Sequence, residues 1–257
     1  MIGLLREIRD SLVEFIRTFG ALMIFFLALL KHSPDTLFRR FALVVGQVHN
    51  SGTLSLVIIL TSGLFVGAVL GLQGYSNLAR FNAEDTVGTF AAFALIKELG
   101  PVITALLFAG RAGTSLASEI GLMKATDQLS AMEMMAVDPV KRVVVPRFLG
   151  ACIAMPFLTA AFSAIGLFGA HLVGVSLLGV DVGAFWQQMQ QAISPKDVEE
   201  GIVKSVIFGG AASLIAVWEG YNCFPTAEGV GRATTRTVVI TAIVVLILDF
   251  MITARYL

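Results

Sequence analysis

Long uninterrupted apolar runs dominate the pattern of hydrophobic and polar positions along this chain, and short polar stretches separate them. A helix needs roughly 20 apolar residues to cross the hydrocarbon core of a bilayer. The pattern therefore predicts an all-α, polytopic membrane protein with a single domain over residues 1–257. Its five-span portion occupies residues 50–257, with transmembrane helices over 54–72, 87–109, 148–174, 202–217 and 237–252.

The first 40 residues show a different pattern, because an apolar stripe alternates with charged positions. The uncharged stretch over residues 18–30 is short for a span, so we expect an amphipathic helix lying on the cytoplasmic leaflet, in the membrane interface. A cleaved signal peptide is disfavoured, since no small-residue cleavage site follows Leu30. The stripe comprises Leu5, Ile8, Leu12, Phe15, Ile16, Phe19, Met23 and Phe26.

Residues 119–139, between the second and third apolar runs, are too polar to cross a bilayer. Apolar side chains recur there at steps of three and four, which predicts one amphipathic helix on the membrane surface. Ser130 and Glu133 suggest a capping box, and Pro139 is expected to end the helix. The pattern leaves open whether this helix receives force from a soluble motor or only covers a loop. The apolar stripe comprises Leu122, Ala125, Leu129, Met132 and Ala136.

Composition and charge give the class and the orientation. Of the 257 residues, 56% are hydrophobic and 14% are charged, which is too apolar for a soluble domain of this size. Most of the 18 basic residues lie before the first span, around 111–147 and at 232–236. The positive-inside rule then predicts a cytoplasmic N-terminus, a C-terminus outside the cytoplasm, and a cytoplasmic segment 119–139. Because the charges are sorted by membrane side, we expect no nucleic-acid partner.

Charged residues within spans are costly, so each requires a partner or a function. Lys97 and Glu98 precede Gly100–Pro101, where a kink and free backbone carbonyls are expected. Adjacent helical residues point about 100° apart, so these two side chains should have different partners. Lys204 and Asp249 lie at similar depth in the fourth and fifth spans, and we predict a buried ion pair between them.

Small residues recur every fourth position in two spans, at Gly63, Gly67 and Gly71 in the first and at Gly166 and Ala170 in the third. Such spacing favours close helix–helix contact. Whether the contact is within one chain or with a second copy stays open at this stage.

Several functional classes lack support in the sequence. Two cysteines and three scattered histidines show no metal-ligand spacing, and no nucleophile–base motif is present, so we expect neither a metal site nor catalytic residues. The chain has no G-x-x-x-x-G-K-[ST] motif. If ATP drives its function, the nucleotide and its magnesium must be bound by a partner, and the chain itself binds no cofactor.

Long motifs nevertheless resemble a known family. Residues 111–139 have the sequence RAGTSLASEIGLMKATDQLSAMEMMAVDP, followed by VPR at 145–147. Further matching motifs are GLQGY at 71–75, KELGP at 97–101, LFAG at 107–110 and GRATTRT at 231–237. Together they resemble the MlaE (YrbE-type) permease family over nearly the whole chain.

This resemblance implies a homodimeric ABC permease of the bacterial inner membrane that moves phospholipid between the inner and outer membranes and maintains outer-membrane lipid asymmetry. The implied partners are a second copy of the chain, a cytoplasmic ABC ATPase, a STAS-domain protein and a periplasmic MCE-domain protein. The C-terminus would then be periplasmic. An ion-coupled secondary transporter and a non-transporting scaffold remain the alternatives.

The resemblance also implies roles for individual residues. Segment 119–139 becomes the coupling helix that docks on the ATPase, with contact or shaping roles for Glu119, Lys124, Asp127, Glu133 and Asp138. A lipid pocket between two copies, near the outer ends of the first spans, would be lined by Leu70, Asn77, Leu78, Phe81, Glu98 and Leu99.

Overall fold

The computed structural model describes residues 2–256, with the side chains of residue 13 and of residues 16–256. The side chains of Leu5, Ile8, Leu12 and Phe15, which belong to the predicted N-terminal stripe, lie outside the described part. Every regular element within residues 2–256 is helical, which confirms the all-α prediction.

The α-helices are separated by short loops and by π-helical turns. The turns are Ala94–Leu99, Ala109–Gly113, Val140–Val144 and Leu172–Leu177. The α-helices are α1 Ile2–Arg39, α2 Phe41–Gly52, α3 Leu56–Leu78, α4 Val87–Phe93, α5 Gly100–Phe108, α6 Thr114–Ala125, α7 Gln128–Met134, α8 Val145–His171, α9 Val182–Ala192, α10 Pro195–Asn222 and α11 Ala227–Tyr256.

Six helical stretches within the described chain are long and apolar enough to cross a membrane. Five of them contain the five predicted spans, so the positions of those spans are confirmed. The observed stretches are longer than the apolar runs because polar helical turns extend them at both ends. They cover Phe41–Phe81, Glu84–Ala125, Val140–Leu177, Pro195–Asn222 and Ala227–Tyr256. We refer to the two ends of this bundle as the α7 end and the α9 end.

The sixth stretch, Ile16–Arg39, belongs to the helix for which the sequence predicts an interfacial position. Its contacts lie at one level of the bundle. Phe25 packs on Trp218 and Tyr221, near the end of α10, and Asp35 pairs with Lys141 at the start of the third span. A helix crossing the bilayer beside the bundle would contact both ends, whereas these contacts of α1 both lie at the α7 end. This arrangement favours the interfacial position, which remains a prediction.

The small residues of α3 pack against α8 within the same chain. A methyl group on Gly67 would overlap the carbonyl oxygen of Gly166, and one on Gly71 would lie 2.9 Å from the carbonyl oxygen of Ala170. The two backbones therefore approach as closely as glycine allows. The structure answers the question left open by the sequence, since this motif builds the protomer.

Segment 119–139 differs from the single helix predicted from its periodicity. Residues 119–125 continue α6 out of the second span, and Asp127 then adopts a left-handed conformation with φ 56°. Only Gln128–Met134 forms a separate helix, and Ala136, also at φ 56°, follows its end. The predicted capping box is wrong because Ser130 lies inside α7.

The predicted apolar stripe is divided by the same break in the helix. Leu129 is buried, whereas Leu122 is exposed by 58%. Pro139 does not end the helix, because α7 stops before it and Pro139 precedes the π-helical turn that opens the third span. The short amphipathic helix α9, outside the third span, was not predicted.

Candidate functional site

A cluster of charges lies inside the bundle toward the α9 end, centred on Lys204, whose side chain is fully buried. Its Nζ lies 3.2 Å from Oε2 of Glu98, 3.3 Å from Oε1 of Glu200 and 3.4 Å from Oδ1 of Asp249. The structure thus places Lys204 and Asp249 within ion-pair distance, as the sequence analysis expected. It adds Glu98 and Glu200 to the same ammonium group.

The second lysine of the cluster is Lys97. Its Nζ lies 3.0 Å from Oδ1 of Asp197 and 3.2 Å from Oε2 of Glu200. Glu200 therefore bridges both lysines through its two oxygens. Lys97 and the adjacent Glu98 have different principal partners, as their angular separation on a helix requires. Two lysines share four carboxylates, so the cluster carries an excess of negative charge.

Pro101 explains why Lys204 points to this position. Proline has no N–H, so the carbonyl of Lys97, four residues earlier, lacks its usual helical donor. Lys204 Nζ donates to that carbonyl oxygen at 3.0 Å and to Thr253 Oγ1 at 2.8 Å. In the π-helical turn Ala94–Leu99, the carbonyl of Leu95 accepts both from the backbone N–H of Gly100 and from Ser163 Oγ, the latter at 3.2 Å. The kink thus supplies one carbonyl oxygen, that of Lys97, to the buried ammonium group.

The cluster also contains three residues that were not predicted from the sequence: Asp197, Glu200 and Thr253. Two signals were available. Ser194 and Asp197 form the capping box that opens α10, and Glu200 precedes Lys204 by four residues, the spacing of a helical ion pair. The position of Thr253 had no comparable signal, because only the packing of α11 brings it to the cluster.

At the α7 end, three of the predicted coupling residues make contacts inside the protomer. Glu119 Oε2 lies 3.3 Å from Nη2 of Arg147. Lys124 Nζ donates to the carbonyl oxygen of Tyr221 at 2.8 Å, which fastens the end of α6 to the end of α10. Asp138 Oδ1 accepts from the backbone N–H of Val140 at 2.9 Å and so caps the next helical turn. These three side chains shape the segment.

The other two predicted coupling residues are available for a partner. Asp127 and Glu133 are exposed, and no side-chain bond or ion pair of either carboxylate occurs within the described part of the chain. Met134 and Met135, exposed by 84% and 67%, lie beside Glu133. Exposed, adaptable methionines are common at protein-binding surfaces.

The residues expected to line a lipid pocket are divided between the second half of α3 with the turn after it and the π-helical turn of the second span. Leu70 packs on the core and Leu78 on the small cluster beneath α9. Asn77 is exposed, and Phe81 is exposed by 79% in a short 3-10 turn that follows α3. Glu98 and Leu99 are half-buried. Glu98 belongs to the charge cluster, while Leu70 and Leu78 pack against two different apolar clusters. That the six residues line one pocket remains a prediction.

Comparison with known proteins gives this arrangement its context. The family described as Permease MlaE matches residues 44–255. The chain belongs to the MlaE permease family. A relative in Haemophilus influenzae is named intermembrane phospholipid transport system permease protein MlaE. It is 49% identical to this chain over 99% of the chain and 97% of its own length.

More distant MlaE relatives share the same core. A probable ABC transporter permease protein of Rickettsia prowazekii is 39% identical over 84% of this chain and 83% of its own length. The chloroplastic protein TRIGALACTOSYLDIACYLGLYCEROL 1 of Arabidopsis thaliana is 30% identical over 82% of this chain and 60% of its own length. This MlaE-family chain is therefore a multi-pass permease subunit.

Proposed function

We propose that this permease is the membrane subunit of an ATP-driven transporter that moves phospholipid between the inner and outer membranes as a homodimer. The observation that carries the proposal is near full-length identity of 49% to a permease named for intermembrane phospholipid transport. The chain makes and breaks no bond. Its task is to change the shape of an apolar cavity around a lipid.

Energy is delivered through the α7 end. The chain has no P-loop motif, so ATP and magnesium are bound by a cytoplasmic ABC ATPase. We assign the docking contact to Asp127, Glu133, Met134 and Met135, because these side chains are exposed at the loop. The anchoring of Lys124 on Tyr221 then transmits movement of the loop to α10, the helix that carries Glu200 and Lys204.

The lipid site is completed by a second copy. Asn77, near the end of α3, and Phe81, in the 3-10 turn that follows, are both exposed, and a second apolar surface against them would enclose an acyl chain. We assign Glu98 to the edge of this surface, because its side chain is 40% exposed. A carboxylate held by Lys204 is placed to interact with the polar part of a phospholipid.

The remaining assignments follow from the family. A STAS-domain protein would accompany the ATPase on the cytoplasmic side, and a periplasmic MCE-domain protein would receive or deliver lipid at the α9 end. This orientation places the N-terminus in the cytoplasm and the C-terminus in the periplasm, in agreement with the basic residues at the α7 end.

A charge reversal at the α7 end tests the proposal. In Asp127→Lys/Glu133→Lys, repulsion should weaken binding of the co-purified ATPase about tenfold or more. ATP-dependent lipid transfer between vesicles by the reconstituted complex should fall in parallel. The matched control is Asp85→Lys/Glu199→Lys, which reverses two exposed carboxylates at the α9 end.

The comparison of the two double variants decides the outcome. Equal ATPase binding in both would contradict the docking assignment. Lipid transfer driven by a pH gradient without ATP would instead support ion-coupled transport, for which the buried lysines and carboxylates would be the expected machinery.

A further inference from the structure

A cavity of about 640 Å³ opens at the α7 end, away from both the charge cluster and α7 itself. Three helices enclose it: α1, the end of α10 and the start of α11. The T-shaped contact between Phe25 and Trp218, with ring centroids 5.3 Å apart, holds α1 against α10, and Trp218 lines the cavity. Its volume lies in the range of small-molecule sites.

The charged lining of this cavity is mainly basic. Arg17, Arg232 and Arg236 line it together with a single carboxylate, that of Glu219. Arg236 Nε lies 3.3 Å from Oε2 of Glu219, and Arg232 pairs through one terminal nitrogen with Glu228. An arginine has five N–H donors, so both retain donors for a further acceptor.

Among the described residues, Arg17 is the arginine of the cavity lining that has no ion-pair partner. No ion pair or side-chain hydrogen bond of its guanidinium occurs within the described part of the chain, although the carboxylates of Glu219 and Glu228 lie on the neighbouring helices. Arg236 and Arg232 on the fifth span are thus paired with carboxylates of the fourth and fifth spans. Arg17 on α1 adds a positive charge to the cavity that no described carboxylate pairs.

Apolar side chains adjoin this basic lining. Ile16, Ile24 and Leu27 on α1 are exposed by 67%, 71% and 63%. Trp218, an amphipathic aromatic of the kind enriched at membrane interfaces, lines the cavity. A ligand bound here would meet cationic donors on one side and hydrocarbon on the other. A free soluble anion would need only the cationic donors, so the adjoining apolar side chains favour a lipid.

We propose that this cavity binds the phosphate-bearing headgroup of an anionic phospholipid from the leaflet at the α7 end. Basic pockets between membrane helices on the cytoplasmic side hold such headgroups. Arg17, Arg232 and Arg236 donate to the phosphate, and the acyl chains lie along the exposed apolar face of α1. The bound lipid thereby fixes α1 to α10 and α11. This site does not depend on the proposed transport function.

The two tryptophans of the chain provide a direct measurement. In a Trp186→Phe background, fluorescence reports Trp218, which lines the cavity. Titration of the purified full-length protein with short-chain dihexanoyl phosphatidylglycerol should give a saturable change. Arg17→Gln should raise the dissociation constant about fivefold, the worth of one basic residue near an anionic headgroup. Thr18→Lys, which adds a cation to the lining, should lower it.

The matched control is Lys31→Gln, which removes one exposed positive charge from the same helix outside the cavity lining. It should leave the dissociation constant unchanged. The site would be overturned if Arg17→Gln and Lys31→Gln changed the dissociation constant equally. It would also be overturned if Arg17→Gln or Thr18→Lys left the dissociation constant unchanged. Saturation by inorganic phosphate at the same concentrations would overturn the lipid assignment in favour of a free anion. Unchanged thermal unfolding without lipid shows that the variants are folded.

Discussion

Two polar regions at opposite ends of the bundle use charge differently. In the cluster around Lys204, every carboxylate that approaches the ammonium group belongs to a helix of the bundle, and Lys204 is fully buried. In the loop that carries α7, Asp127 and Glu133 are exposed. Buried charges must find partners within the protomer, whereas solvated charges are free to meet another protein. The first region therefore stabilises the protomer, and the second is the region to which we assign the contact with a partner.

The connection between the two regions is α10. Its first turns contribute Asp197, Glu200 and Lys204 to the cluster, and its last turn receives Lys124 through the carbonyl oxygen of Tyr221. A helix of 28 residues held at both ends moves as one body. Under the proposed function, α10 would transmit a push on the loop to the buried charges.

The largest effect should come from removing the central cation. Lys204→Met leaves the carboxylates of Glu98, Glu200 and Asp249 without their shared ammonium group. It should lower the free energy of unfolding by about 3 to 5 kcal/mol, the usual cost of breaking a buried pair. Titration with a denaturing detergent in mixed micelles measures this free energy.

Lys196→Met is the control for this prediction, because Lys196 lies on the same helix and is exposed. It should change stability by less than about 0.5 kcal/mol. If the two variants unfold at the same detergent fraction, the cluster does not stabilise the protomer and the contrast between the two regions fails.

The sequence was sufficient for much of the buried region. Burial of charge inside a span requires partners, so Lys204 and Asp249 could be paired from their depth alone. Pro101 similarly indicated free carbonyls. The full set of groups that contact Lys204 could not be predicted. Thr253 reaches Lys204 only because of how α11 packs against α10, and such packing leaves no periodic signal in the sequence.

The exposed region was predicted less well. The three-to-four periodicity of residues 119–139 is real, but periodicity does not report a left-handed residue in the middle of the pattern. Asp127 takes that conformation at φ 56°, and the chain turns there. Segment 119–139 remains a predicted docking segment although it is not a single helix. That prediction depends on exposed charged residues, and Asp127 and Glu133 are exposed.

A second test concerns the scaffold that holds the cluster. Ser163 on α8 donates to the carbonyl of Leu95, so the position of α8 against α3 supports the kinked span. Gly67→Ala places a methyl group against the carbonyl oxygen of Gly166. Separation of the helices should cost about 1 to 3 kcal/mol of unfolding free energy, as overpacking does in other cores, measured by the same detergent titration.

Gly46→Ala provides the matched substitution, because a methyl group on Gly46 in α2 meets no atom within 4 Å. It should be neutral or stabilising by up to about 1 kcal/mol through helix propensity. Equal destabilisation by both would show that the α3–α8 contact tolerates a methyl group, contrary to the close approach of the two backbones.

The smallest effect separates backbone conformation from charge at Asp127. Alanine disfavours the left-handed conformation, so Asp127→Ala should destabilise the fold by about 1 kcal/mol, whereas Asp127→Gly should be neutral or slightly stabilising. Both variants lack the carboxylate, so both should weaken ATPase binding equally if the charge makes the contact. A loss confined to Asp127→Ala would instead assign the role of this residue to the turn. The two variants are therefore compared in their free energy of unfolding and in their affinity for the ATPase. The comparison decides whether ATPase binding requires the charge of Asp127 or its backbone conformation.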